Sequence, residues 1–381
     1  MILQMTFKDL KLDHSLLKAI EKQGYKNPTP IQQKSIPVIL KGSDVMGAAQ
    51  TGTGKTAAFV LPILQKLNNG SPCTALQARC LILTPTRELA AQINENITIY
   101  NTYGNLTSAV VYGGVNINPQ IRKLKNGIDI LVATPGRLLD LYRQNAIRFN
   151  DLSVLVLDEA DRMLDMGFIH DIRKIISKLP KMRQTLLFSA TFTPAIQKLA
   201  KTILSNPVEI SASPKNTVAT SVKHWMFAVE KAHKSVFVIH LIQEECWHQA
   251  LIFTRTKYGA DKLTRKLNKA RLKSAAIHGD KRQHARTKAL ADFKAGKICF
   301  LVATDIAARG LDIDQLPLVI NYDLPNVATD YVHRIGRTGR AGASGQAVSL
   351  VSKDERSYLK DIEDLLKQKI EKRNIKFNLP V

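Results

Sequence analysis

The densest chemistry in the chain lies at Ala49-Gln50-Thr51-Gly52-Thr53-Gly54-Lys55-Thr56, between the apolar run Val45 to Ala48 and a helix-forming stretch from Ala57. Glycines at 52 and 54 let the backbone turn tightly enough to aim N–H groups at phosphate oxygens, and the positive end of the following helix strengthens that field. Lys55 would reach the outer phosphates of a nucleoside triphosphate, and the Thr56 hydroxyl would hold Mg2+. Ala49 stands where the strict pattern has Gly. Further along, Val154-Leu-Val-Leu157 runs directly into Asp158-Glu159-Ala160-Asp161. Carboxylates at the tip of an apolar strand suit a second metal contact, from Asp158, and a water-orienting role for Glu159. Upstream, the Pro-rich turn from Gly24 to Gln32 offers the Gln32 amide to an adenine-type edge and the Tyr25 ring as a stacking face.

These groups need strand ends to hold them. Short apolar runs recur, each ending in small or polar residues and followed by helical periodicity, the pattern of a parallel sheet with crossover helices. The first series is Val45 to Ala48, Cys80 to Thr84, Ala109 to Tyr112, Ile130 to Thr134, Val154 to Leu157 and Leu186 to Ser189. After the polar stretch Ser211 to Thr217 a second series begins: Gln249 to Thr254, Ser274 to His278, Cys299 to Thr304, Leu318 to Tyr322 and Ala347 to Val351. The expectation is two α/β domains, 1–208 and 218–365, with a linker at 209–217 and a basic C-terminal tail at 366–381. Val132-Ala-Thr-Pro135 in the first half echoes Val302-Ala-Thr-Asp305 in the second, a faint trace of duplication. Nearly every motif follows a strand, and open parallel sheets bind ligands beyond the carboxyl ends of their strands.

Composition narrows the partners. Fifty-five Lys and Arg against 32 Asp and Glu leave a net charge of +23 over 381 residues, which points to a polyanion. No run is long enough to span a membrane and no secretory signal is present, so a cytoplasmic location without membrane contact is expected. The four cysteines, Cys73, Cys80, Cys246 and Cys299, have no metal-binding spacing and read as reduced thiols. Trp225 and Trp247 read as packing residues, and His224, His233, His240 and His248 match no zinc pattern.

Taken together, these motifs resemble the DEAD-box ATP-dependent RNA helicases over roughly residues 5 to 365. Asp158-Glu-Ala-Asp161 is the box that names that family, and Gly24 to Gln32 with Phe7 looks like its adenine-reading Q motif. Ser189-Ala-Thr191 looks like the motif that couples hydrolysis to RNA, with Asp161 beside it. Pro85-Thr86-Arg87, Gly113-Gly114 and Thr134-Pro135-Gly136-Arg137 match its RNA contacts in the first domain. Phe253-Thr-Arg255, His278-Gly279-Asp280, Thr304-Asp305, Arg309 to Asp312 and His333 to Arg340 match motifs of the second domain. Val115 to Pro119 and Asp161 to Asp171 look most like the bacterial RhlE branch.

The resemblance implies two tandem RecA-like domains, each a mainly parallel sheet flanked by helices, with ATP and Mg2+ in the cleft between them. It implies nucleotide contacts from Phe7, Tyr25, Gln32, the loop 49–56 and Asp312, catalytic roles for Lys55, Asp158, Glu159 and His333, and arginine fingers at Arg337 and Arg340. Fingers supplied by a separate domain act only on closure, so closure on RNA would gate hydrolysis.

RNA would be held through small residues and loops, at Gly114, Thr134, Gly136, Gly279 and Thr304, with charge from Arg87, Arg137 and Arg255. Few aromatics lie near them, which favours sequence-independent tracking of the backbone over base stacking. Opening a duplex costs about 1.4 kcal/mol per base-pair step on the DNA scale, so short duplexes or ribonucleoprotein contacts are the expected targets. An ATP-gated RNA clamp with slow turnover is the alternative, and DNA unwinding a third. Basic residues between Asp361 and Lys376 fit a solvated helix face as well as an extra RNA anchor. By resemblance to bacterial relatives, ribosomal precursors or RNA decay machinery are the expected partners of a monomer.

Overall fold

A computed structural model of the protein describes residues 5–49, 52–211, 222–308, 313, 316–339 and 345–375. The chain divides into two compact units, residues 1–215 and 216–381. The strands of the first are β1 (Val45–Ala48), β2 (Ala78–Leu83), β3 (Ser108–Val111), β4 (Ile128–Ala133), β5 (Val154–Leu157), β6 (Gln184–Ser189) and β7 (Val208–Ser211). Those of the second are β8 (Val222–Ala228), β9 (Ala250–Phe253), β10 (Ser274–Ile277), β11 (Phe300–Ala303), β12 (Leu318–Asn321), β13 (Gly345–Val351) and β14 (Glu371–Lys372).

Each unit builds one seven-stranded sheet in which every pairing is parallel, as expected from the sequence. Helices on both faces explain why β2, β4 and β6 are buried along their whole length. Side chains of β2 alternate between two cores, Cys80 and Ile82 on one face and Leu81 and Leu83 on the other. In the second unit Leu251 and Phe253 face one core, Ala250 and Ile252 the other.

The strand orders are β3-β4-β2-β5-β6-β1-β7 and β10-β11-β9-β12-β13-β8-β14, so the second unit repeats the first strand for strand. The echoing Val-Ala-Thr tripeptides end β4 and β11, which occupy the same place in the two sheets.

Three strands lie outside the expected set. In β7 only Ile210 is buried, β14 is two exposed residues, and Lys223 and His224 interrupt the apolar run of β8. Edge positions need little apolar surface, so β7 and β14 are specified by pairing more than by pattern, whereas β8 lies inside its sheet between β13 and β14. Two expected boundaries move as a result. The segment from residue 209 continues the first sheet to Ser211, whose carbonyl also accepts from Lys34 Nζ at 2.9 Å; the remainder of the expected linker, 212–217, lies outside the described residues. At the C-terminus the helix Arg356–Leu366 stops at Lys367, held in the left-handed region at φ 55°, and the chain turns back to pair beside β8. Residues 376–381 of the expected tail lie outside the described residues.

Candidate functional site

The phosphate-binding stretch forms where β1 ends. Gly52 and Gly54 hold φ of 80° and 88°, a region that side chains disfavour, and the helix Lys55–Asn68 starts immediately after. A Cβ on Gly54 would stand 2.5 Å from Gln32 Nε2. That amide donates to the Gly54 carbonyl at 3.1 Å while its oxygen accepts from Thr29 N at 2.9 Å. Gln32 therefore braces the phosphate loop directly, a contact its reading as an adenine reader had not included. Ala49 is buried and its N–H donates to the Ser189 carbonyl at 3.1 Å, fixing the loop's entry to β6. Gln50 and Thr51 lie outside the described residues, and Thr53 and Thr56 are half-buried at the loop's end.

Lys55 is 5% exposed, yet its ammonium has no hydrogen-bond partner; Asp158 Oδ1 lies 3.8 Å away. A buried, unsatisfied cation is costly, and the phosphates of a nucleotide are the complement it lacks. Burial pushes the Asp158 carboxyl up to about 6, with Lys55 drawing it down and Glu159 and Asp161 adding to the rise. Glu159 sits at φ 52°, ψ 52°, strained for a residue with a Cβ, and its Oε2 is buried without a partner. Two acidic residues and a lysine, held apart from solvent beyond the ends of β5 and β1 on either side of β6, are equipped to bind triphosphate and orient a water. Among the described residues no group of three or more His, Cys, Asp or Glu could hold a metal. Thr56 and Asp158 suit Mg2+ bound mainly by phosphate and water, which needs few protein ligands.

Asp161 joins this cluster to β6. Its Oδ2 accepts from the Ala190 N–H at 3.0 Å, the Thr191 N–H at 2.9 Å and the Thr191 hydroxyl at 3.0 Å. Ser189 Oγ donates to the Thr191 carbonyl at 2.7 Å and accepts from Asp161 N at 3.3 Å. The two motifs are thus one hydrogen-bonded unit.

Of the residues that bound the adenine reading, Phe7 is buried in the core, and Tyr25 is 45% exposed with its ring 6.5 Å from Tyr100.

The sheet order separates two sets of loops. Nucleotide-type groups follow β1, β5 and β6, while Pro85-Thr86-Arg87, Gly114 and Thr134 to Arg137 follow β2, β3 and β4 on the other half of the rim. Thr86 caps the helix Arg87–Tyr100, accepting from Leu89 N at 3.2 Å. Gly114, at φ 75°, lies against the Arg87 guanidinium, which a Cβ would meet at 2.2 Å. Thr134 precedes the helix Pro135–Arg143, where Gly136 has open space in place of a side chain. Arg137 Nη2 donates to the Val115 carbonyl at 2.9 Å, and its Nη1 is buried without a partner.

In the second unit Arg255, Gly279 and Thr304 follow β9, β10 and β11, the strands equivalent to β2, β3 and β4. Arg255, expected to add charge at the RNA contacts, also bonds to groups of its own unit. Its Nη2 donates to Glu355 Oε1 at 2.7 Å and to the Leu324 carbonyl at 3.1 Å, and its guanidinium lies 4.9 Å from the Tyr358 ring centroid. Glu355 is buried and also pairs with buried Lys234, so Arg255, its side chain 28% exposed, is the outer member of an ionic cluster. Lys234 and Glu355 escaped the sequence reading because nothing local marks charges 121 positions apart as partners. Gly279 is exposed beside Lys257, and Thr304 is buried with its carbonyl starting the short helix Asp305–Ala308. His333 lies on the helix Ala328–Ile335 and Arg337, 4% exposed, just past its end. Asp312 and Arg340 lie outside the described residues.

Arg334 was passed over between those two. It is 2% exposed and holds Asp305 through Nε and Nη2 at 2.6 and 2.7 Å. Its place inside the His333-to-Arg337 motif was the available signal.

Comparison with known proteins agrees with this arrangement. Residues 29–199 match the DEAD/DEAH box helicase family, and residues 233–342 match the helicase conserved C-terminal domain. The DEAD-box ATP-dependent RNA helicase CshA of Bacillus subtilis is 42% identical over 97% of this chain and 74% of that relative. The DEAD-box ATP-dependent RNA helicase RhpA of Helicobacter pylori is 42% identical over 96% of this chain and 73% of its own length. Neither carries the RhlE name of the finer expectation. The structure of S. cerevisiae Dbp5 bound to RNA and ADP BeF3 superposes with a TM-score of 0.84 at 31% identity, covering 97% of this chain and 95% of that one. With paired RecA-like sheets, the phosphate loop and the Asp158-to-Asp161 box in place, the chain belongs to the DEAD-box ATP-dependent RNA helicases, which hydrolyse ATP and bind RNA.

Proposed function

We propose that this helicase hydrolyses ATP in response to RNA and separates short duplexes locally, gripping the strand by its backbone. The observation that carries the reading is the pair of buried, unpartnered groups at the strand ends, Lys55 Nζ and Glu159 Oε2. Lys55 and the backbone of the Gly52–Gly54 turn bind the phosphates, Glu159 orients the attacking water, and Thr56 and Asp158 hold Mg2+. The metal supplies neutralisation of phosphate charge. By the resemblance to the family, Arg337 and Arg340, with His333, serve as groups that stabilise the charge of the transition state. Tyr25, Gln32, Phe7 and Asp312 serve the base and ribose.

RNA is gripped by Thr86, Arg87, Gly114, Thr134, Gly136 and Arg137 from the first unit and by Gly279 and Thr304 from the second. Support comes from their place on a separate half of each rim, and from the RNA-bound Dbp5 relative. The domains are taken as 1–208 and 218–365, adjusted for the strands that end the first sheet and flank the second. A grip that ignores base sequence suits RNAs rich in short helices, among them ribosomal precursors and transcripts under decay, and a monomer suffices for it. No described helix is long and apolar enough to cross a membrane.

Steady-state ATPase without nucleic acid, with single-stranded RNA and with matched DNA tests the reading. Strong stimulation by RNA alone, absent in Glu159→Gln, is the expected result; equal rates under all three conditions would overturn it.

A further inference from the structure

A line of polar side chains crosses the largely apolar sheet of the second unit. It starts at the surface, where Gln368 Nε2 lies 2.8 Å from His224 Nε2. His224 Nδ1 lies 3.1 Å from the Tyr331 hydroxyl, which sits beside Ser349. Asn321 Nδ2 donates to Ser349 Oγ at 3.3 Å, and Arg334 Nη1 donates to Asn321 Oδ1 at 3.0 Å. Asn321 and Ser349 are register partners on β12 and β13. Arg334 ends the line on Asp305.

With Gln368 Nε2 donating, His224 Nε2 accepts, and Nδ1 carries the proton and donates to the Tyr331 oxygen. That arrangement needs a neutral imidazole, and burial holds His224 below its usual range.

Tyr331, Ser349 and Asn321 are fully buried and Arg334 nearly so. Polar groups in such a place bring less stability than well-packed apolar ones, while a fully satisfied network fixes one arrangement against its neighbours. What this one fixes is the helix Ala328–Ile335. Tyr331 and Arg334 are three residues apart on it and so share a face, which the network locks to the sheet. The same helix carries His333, and its last turn sets Arg337, whose N–H donates to the Arg334 carbonyl at 3.1 Å and whose carbonyl accepts from Leu316 N at 3.1 Å.

We propose that His224 and Tyr331 are positioning residues for Arg337, holding it at the angle ATP turnover requires, and that Gln368 ties the returning C-terminal segment to this task. The proposal rests on the reading of Arg337 as a group that stabilises the transition state. Neither His224 nor Gln368 belongs to any motif of the site.

The test compares full-length Tyr331→Phe, His224→Ala, His224→Gln and Arg337→Ala by RNA-saturated ATPase kinetics and thermal melting. Tyr331→Phe keeps the ring and loses only the hydroxyl. It and His224→Ala are expected to lower kcat about tenfold while KM for ATP stays within about twofold, as misplacement of a transition-state group would. His224→Gln, with an acceptor and a donor of its own, is expected to restore most of kcat. Wild-type kcat in Tyr331→Phe and His224→Ala, beside a collapse in Arg337→Ala, would overturn the positioning role and leave the finger standing. Losses of kcat that follow melting temperature alone, or a His224→Gln that recovers stability and not kcat, would also overturn it. Unchanged kcat in Arg337→Ala would remove the finger and the proposal with it.

Discussion

Two residues at the end of β1 and β5 bear the strain of the nucleotide site, and each gives a sharp expectation. Gly54 combines φ 88° with a space that Gln32 already fills. Gly54→Ala should weaken nucleotide binding at least about tenfold, read by titration with a fluorescent nucleotide, because the loop must shift to admit a methyl group. Glu159 is held in the left-handed region with one carboxylate oxygen buried and unpartnered. Replacing it by Gln keeps shape and removes charge, so turnover should fall about a hundredfold or more in single-turnover assays while ATP binding persists. These positions were legible because glycine spacing and adjacent carboxylates are local signals. The bracing of Gly54 by Gln32 was not, since it joins residues 22 apart in sequence through a turn that only the fold closes.

At the scale of elements, the stretch after β6 and the helix Ala160–Asp165 after β5 are joined by the three hydrogen bonds that Asp161 Oδ2 accepts. Asp161→Ala should leave unstimulated ATPase within a few-fold of wild type and sharply reduce duplex separation per ATP hydrolysed, measured on one short duplex. A second element-level device lies at the opposite ends of the strands. Asp129 at the start of β4 accepts from Arg79 Nη1 at 2.8 Å and, through its other oxygen, from the Thr107 N–H and hydroxyl, both at 2.8 Å. Burial raises its pKa, but Thr107 and Arg79 outweigh that and hold it below the usual carboxylate value. The unfolded chain then binds the proton more readily than the native one. The stability from Asp129 is therefore full above about pH 4 and is lost as pH falls through the lowered native value. Denaturant titration of wild type and Asp129→Asn should show a constant gap near neutrality that closes in acid. Asp129→Ala, which leaves the buried Arg79 with the Leu67 carbonyl but without its carboxylate partner, should cost about 3 kcal/mol at pH 7.

For the whole molecule, a net charge of +23 implies RNA binding dominated by phosphate contacts. Affinity for single-stranded RNA should fall linearly in log–log form with salt, by about 0.7 per phosphate neutralised. Arg137→Ala should reduce that slope by about 0.7 and weaken all sequences alike, as measured by fluorescence anisotropy over a salt series. A change confined to particular sequences would contradict a backbone grip. Duplication also belongs to this scale. The repeated strand order places the same three loops at corresponding points of both sheets, the loops proposed to grip the RNA backbone.

The sequence by itself determined the parallel α/β architecture, eleven of the fourteen strands among the described residues, and the phosphate loop and acidic box, because buried strands and strand-end motifs write their chemistry into contiguous residues. It left the edge strands β7 and β14 unseen, since pairing at an edge asks for almost no apolar surface, and it missed β8, whose apolar run is broken by Lys223 and His224. Tertiary structure alone decided that Arg255 is bound into the Lys234–Glu355 cluster, and that His224, Tyr331 and Gln368 form one line behind the helix bearing Arg337. Charges and polar groups carry no local record of their partners. A distance of a hundred residues along the chain becomes a hydrogen bond only once the sheet has set the register.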